Sequence, residues 1–227
     1  MEDGKVMNKL NILYEDNHII VVEKPFNVLS QADNTGDKDM LTIIKEYIKE
    51  KYNKPGNVYL GLVHRLDRPV GGVMVFAKTS KAAGRLSDQI RKNEFNKTYL
   101  AVVHGIVKEK NGIFKDYLKK CDNGNTIVTN SEDGKLSVLN YKVLDVNLKK
   151  QETLVEIKLE TGRHHQIRVQ FASRGYPLCG DQRYGKIDNT QIALFAYKLE
   201  FIHPVKKEKM SFSLCKPNLQ YWNDFNS

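Results

Sequence analysis

The feature that most restricts how this chain can fold is a succession of short runs rich in β-branched and aromatic residues, separated by turns of Gly, Asn and Asp. ILYEDNHIIVVEKP (residues 12–25) reads as two strands around the polar turn Glu15-Asp16-Asn17, and Pro25 stops the second because it has no N–H to donate. VYLGLV (58–63), GVMVFAKT (72–79), KTYLAVVHGIV (97–107), NTIVTN (125–130), KLSVLNYKVLDV (135–146), ETLVEIKLE (152–160), IALFAYKLEFIHP (192–204) and KMSFSLCKP (209–217) repeat the pattern. Short strands joined by tight turns predict a sheet that is mostly antiparallel.

Helical spacing appears in three places. DMLTIIKEYIKEKY sets Leu41, Ile44, Tyr47 and Ile48 on one face and is stopped by Pro55-Gly56. TSKAAGRLSDQIRKN opens on a Thr or Ser cap and carries Ala82, Leu86 and Ile90 four apart, leaving a basic outer face. GRHHQIRVQFASRG (162–175) reads as a third helix closed by Gly175. No repeat, low-complexity linker or composition break divides the chain. The expectation is an α+β fold, a mixed and mainly antiparallel central sheet with flanking helices, formed by residues 12–227 behind an N-terminal tail of residues 1–11.

The 227 residues carry a formal net charge of +9, which attracts polyanions, nucleic acid foremost. Cys121, Cys179 and Cys215 lie far apart, with no C-x-x-C pair and no histidine at zinc-finger spacing, so spacing indicates neither a metal site nor a disulfide framework. The opening MEDGKVMNKLN has no apolar run, and nothing approaches the roughly 20 apolar residues that cross a bilayer. Cytoplasm is the expected compartment, with no membrane partner.

Between two of the predicted strands lies HRLDRPVG, a loop stiffened by Pro69 and Gly71. It holds one acid, Asp67, among His64, Arg65 and Arg68. Neighbouring cations keep such a carboxylate ionised, which suits a nucleophile, although it could equally cap a turn or pair with Arg65 or Arg68. Arg168 in TGRHHQIR can aim its guanidinium fork at that distant carboxylate, a two-pronged geometry that lysine lacks. His164 and His165, read as adjacent on a helix, diverge and make a poor metal pair. Tyr99 shares a strand face with Ala101 and Val103, opposite Leu100 and Val102, and serves either as core or as a ring lining a cleft.

Taken together, these stretches resemble the pseudouridine synthases, in particular the branch typified by bacterial ribosomal enzymes with an HRLD signature. ILYEDNHIIVVEKP is similar to that family's opening motif, HRLDRPVGGVMVFAKT to its catalytic loop, and KTYLAVVHG to its tyrosine strand. GRHHQIRVQFA with YPLCGDQRYG is similar to its arginine helix and following turn, and ALFAYKLEFIHP to its late apolar strand. The ordered motifs span nearly the whole chain. Asn27 stands where many relatives have glycine, HHQIR replaces THQIR, and Phe195 replaces a common histidine.

The resemblance implies a catalytic cleft in one α+β domain, no metal or organic cofactor, and RNA (rRNA or tRNA) as partner. It implies isomerisation of uridine to pseudouridine, with Asp67 as nucleophile, Tyr99 in the active site, Arg168 paired with the aspartate, and Leu194 lining the base pocket. His64 and Arg65 are further candidates for substrate binding, Arg65 by gripping a phosphate or filling the space left by an everted base. With the first motif beginning at Ile12, no small S4-type RNA-binding domain is expected ahead of it. Two other readings compete: an RNA-binding module or chaperone with vestigial catalytic residues, and a nucleoside hydrolase.

Overall fold

The computed structural model describes residues 10–225; residues 1–9, most of the predicted tail, lie outside the described residues. The first hairpin forms as expected from β1 (Ile12–Glu15) and β2 (Ile19–Lys24), and Asp16 closes it by accepting the backbone N–H groups of His18 and Ile19. The amphipathic segments become α1 (Met40–Lys51), whose Asp39 cap accepts from Leu41 and Thr42, and α2 (Ser80–Arg91), capped by Thr79.

Between and after them run β3 (Gly61–Leu62), β4 (Gly71–Ala77), β5 (Asn96–His104), β6 (Asn111–Lys120), β7 (Thr126–Thr129), β8 (Lys135–Asn147), β9 (Glu152–Leu159), β10 (Leu194–Ile202) and β11 (Lys209–Ser213), with α3 (Gln166–Ala172) between β9 and β10. They form one 11-stranded sheet in the order β1-β2-β4-β10-β5-β9-β8-β6-β7, with β3 on β4 and β11 on β10. Every pairing of these strands is antiparallel except β4 with β10. The α+β class, mixed and mainly antiparallel, is therefore what the molecule shows.

Because successive side chains in a strand point to opposite faces, one strand feeds two cores. Ile20, Val22, Met74 and Phe76 pack with Met40, Ile44 and Ile48 of α1, whereas Ile19, Val21, Val73 and Val75 pack with Ala82 and Leu86 of α2. In β5, Tyr99, Ala101 and Val103 join the first core, and Leu100 and Val102 join a third that includes Cys179, Phe195 and Trp222. The two-face reading of the tyrosine strand is thus correct.

The parallel contact is what assembles the site. Gly72 sits opposite Ala196 with φ +132°, and a Cβ there would lie 2.3 Å from the Ala196 carbonyl oxygen, so only glycine allows this approach. It brings the loop preceding β4 alongside Leu194, the first residue of β10.

Several local expectations need correction. VYLGLV is strand only at Gly61–Leu62. NGIFKDYLKK, outside the strands expected from the sequence, is β6, and Asp116 lies on it. There it pairs with Arg174 at 2.9 Å and accepts from Gln170 at 2.7 Å. The third helix is shorter than predicted, because His165 adopts a left-handed backbone (φ 50°) and the histidine pair precedes the helix. Their rings consequently stack, centroids 3.7 Å apart, and do not diverge. Among the described residues no helix is long and apolar enough to cross a membrane.

Candidate active site

The HRLD loop is clamped along its backbone. Ser30 Oγ donates to the Leu66 carbonyl at 2.7 Å and accepts the Leu66 N–H at 3.1 Å. Lys24 Nζ donates to the carbonyls of Pro25 and Arg68, each at 3.0 Å, and Gln191 Nε2 donates to that of Pro69 at 2.6 Å. Gln191 is held in turn by Asn27 at 2.8 Å. Asn27 has φ 63°, a conformation that asparagine tolerates better than other side chains, which explains how it can stand where glycine is common. Burial depresses Lys24 to about 7, with Asp67 opposing and Arg68 reinforcing that shift.

Asp67 projects from this scaffold, and its carboxylate meets neither Arg65 nor Arg68; the latter pairs with Asp37 at 2.5 Å. Its neighbours come from the other end of the sequence: Arg168 Nη1 at 3.3 Å and His165 Nε2 at 3.5 Å, both to Oδ2. The expected convergence of Asp67 and Arg168 is present, but not the two-pronged geometry. That goes to Asp181, whose Oδ2 accepts Nε at 2.8 Å and whose Oδ1 accepts Nη2 at 2.7 Å. Asp181 is wholly buried and also accepts the N–H groups of Arg183 and Tyr184. It works against desolvation, and the Arg168 guanidinium and these N–H groups hold its carboxyl below the usual range. Asp67 thus receives Arg168 through Nη1 alone, from a guanidinium that cannot swing.

His165 is fixed by a relay. Tyr184 Oη accepts the Thr126 N–H at 2.7 Å and, because the acceptor-only Asp67 carboxylate faces Nε2 and favours the ring proton there, it donates to His165 Nδ1 at 2.8 Å. That network assigns the remaining ring proton to Nε2, on the side of Asp67. Burial pulls His165 down to about 4, with the Asp67 charge opposing, so the ring is neutral at physiological pH.

Asp67, Arg168, Tyr99 and Leu194 share a cleft of about 1240 Å³. Leu66, Val70, Ile167 and Leu194 give it an apolar floor. Tyr99, 7% exposed, stays protonated because burial and then the Asp67 charge raise its hydroxyl above the ordinary value. Arg65 is exposed on the rim. His64 contributes to the lining, but its Nε2 accepts the Val75 N–H at 3.1 Å and burial lowers it to about 3, so it is a neutral anchor of the loop. Sequence reasoning missed Arg91, Lys97, Lys158 and Arg163, which add positive charge to the same cleft. Scattered over the chain, they carry no local signature.

A sequence model of the family described as RNA pseudouridylate synthase matches residues 18–173. This chain belongs to that family. It is 36% identical over 203 residues to a Bacillus subtilis protein named uncharacterized RNA pseudouridine synthase YhcT, covering 88% of this chain and 66% of that protein. It is 34% identical over 218 residues to ribosomal large subunit pseudouridine synthase C of Buchnera aphidicola subsp. Schizaphis graminum, covering 88% of this chain and 65% of the relative. The chain thus spans about two thirds of the length of these relatives. Among solved structures, human RNA pseudouridylate synthase domain containing 1 superposes with a TM-score of 0.76 at 25% identity, covering 96% of this chain and 88% of that one.

Within this family of enzymes the chain presents one carboxylate at the mouth of an apolar hollow, steadied by a fixed guanidinium N–H and a neutral imidazole N–H. Such a group can attack or stabilise an electron-poor carbon while the surrounding side chains keep water away.

Proposed function

We propose that this chain isomerises uridines in RNA, ribosomal or transfer, to pseudouridine, with Asp67 as the nucleophile. The observation that carries the reading is the convergence of Asp67, Arg168 and His165 at an apolar-floored cleft large enough for an everted base. Isomerisation breaks the N1–C1′ bond, turns the uracil, and joins C5 to C1′. The hydrogen on C5 leaves as a proton and N1 gains one, so no oxidant, reductant or water is consumed. Nothing in that balance requires a water-activating second acid, and the buried Asp181 has both oxygens engaged by Arg168.

Leu194 and the Tyr99 ring enclose the detached base, and the protonated Tyr99 hydroxyl is available as a donor. A uridine in folded RNA must be everted to enter, at a cost of a few kcal/mol of unstacking that favours loops and weakly paired sites. Arg65 on the rim grips a phosphate or fills the vacated space, and the cationic lining attracts the backbone.

Incubating the protein with ribosomal and transfer RNA, digesting the product and separating its nucleosides tests the reading. Pseudouridine should appear with no free uracil. Free uracil would indicate a hydrolase, and RNA binding without any change in nucleosides would indicate a binding module; either outcome contradicts the proposal.

A further inference from the structure

On the opposite side of β5 from the cleft, three side chains with metal-binding atoms meet at one end of the sheet. His104 ends β5, Glu152 opens β9 directly across from it, and Cys179 lies on the adjacent segment, whose backbone pairs with β5 through Cys179 N to Val102 O at 2.9 Å. The His, Cys and carboxylate ligand atoms all lie within 4.8 Å of one another. Cys179 Sγ is 3.5 Å from His104 Nδ1. A tetrahedral zinc ion with bonds of about 2.3 Å to sulfur and about 2.05 Å to nitrogen holds those two atoms about 3.5 Å apart.

Glu152 supplies the independent sign that something is bound here. It is 5% exposed, and its Oε2 is buried with no N–H or O–H partner among the described residues, only the weak donor of the Cys179 thiol beside it, an expensive condition for a carboxylate. Cys179 is wholly buried, beside the apolar cluster of Leu100, Val102, Leu154 and Trp222. His104 is only half-buried and leaves a path from solvent.

We propose that His104, Glu152 and Cys179 bind a divalent transition-metal ion of zinc's type through Nδ1, Oε2 and Sγ. Binding expels the thiol proton, together with any proton on Glu152, and places a 2+ ion between a thiolate, a carboxylate and a neutral imidazole. The complex is formally neutral, so it can remain buried where the separate charges could not. A water reaching in past His104 completes the coordination. The ion would fasten the 178–181 turn to the sheet, and that turn carries Asp181, which braces Arg168.

Cobalt(II) titration of the full chain tests the site, after treatment with a reductant and a chelator and removal of both. Cys121→Ser and Cys215→Ser are introduced first, so that Cys179 is the remaining thiol. One equivalent should give the sulfur-to-cobalt charge-transfer band and tetrahedral visible bands, zinc should displace it, and either metal should raise Tm. The charge-transfer band should vanish in Cys179→Ser. Glu152→Gln and His104→Gln keep the size and polarity of the cluster should Cys179→Ser fail to fold, and each should weaken binding about tenfold or more. Absence of the band in the parent protein, or unchanged affinity in Glu152→Gln and His104→Gln, overturns the proposal.

Discussion

Asp181 accepts Nε and Nη2 of Arg168 at 2.8 and 2.7 Å, so the paired N–H face of the guanidinium is turned away from the cleft and Asp67 receives Nη1 alone, at 3.3 Å. Arg168 is therefore a strut between a structural carboxylate and a reactive one. Asp67 keeps much of its charge available to substrate, while Asp181 keeps the guanidinium from following the substrate out.

Removing the strut should be costly for a reason specific to Asp181. Arg168→Met leaves a buried carboxylate without its countercharge and should lower stability by about 3–5 kcal/mol in urea unfolding, besides abolishing turnover. Adding Asp181→Asn should restore a large part of that stability and no activity, since the amide still offers Oδ1 to the N–H groups of Arg183 and Tyr184. Simple addition of the two losses would contradict the pairing.

Much of this was legible in the sequence because periodicity reports burial directly. Ile19 to Val22 alternate between two cores, and Asp39 and Thr79 announce the helices they cap. Asp67 stood out in its loop, and Tyr99 and Leu194, placed by the family resemblance, share its cleft. What stayed hidden depends on contacts distant in sequence. Asp181 looked like an ordinary turn residue, and the left-handed His165 that delays the start of the helix is a backbone choice with no residue signature. Lys24, at the end of β2, is fully buried by the loop whose carbonyls it holds, a burial that depends on that distant loop. His104, Glu152 and Cys179 evade spacing rules because strand pairing, not sequence proximity, brings them together.

Lys24 should leave a mark on stability above neutral pH. Its folded value of about 7 lies below the ordinary 10.5, so between those values the unfolded chain binds the extra proton and stability rises with pH. The contribution is complete above about 10.5 and lost as pH falls through about 7. One proton gives a slope of at most about 1.4 kcal/mol per pH unit. Urea unfolding across this interval should show the rise in the parent chain, and Lys24→Met should flatten it; parallel curves would contradict the assignment.

His64 and Arg65, adjacent in sequence, should behave differently. His64→Leu orphans the Val75 N–H and should cost about 1–3 kcal/mol of stability, with RNA affinity unchanged once the protein is folded. Arg65→Ala should leave stability alone, weaken RNA binding, and reduce the slope of log K against log salt by about 1. Filter binding across a salt series, beside urea unfolding, separates the two roles. An unchanged salt slope in Arg65→Ala would remove its phosphate contact.

The most direct measurement compares Asp67→Asn with the parent chain on RNA carrying tritium at uridine C5, at matched RNA occupancy. The parent should release tritium to water as C5 joins C1′. The Asp67→Asn protein should fold, bind RNA with nearly the same affinity and release none. Release by Asp67→Asn at a rate near the parent's would contradict a nucleophilic role for Asp67, and unfolding of the variant would make the residue a structural support instead.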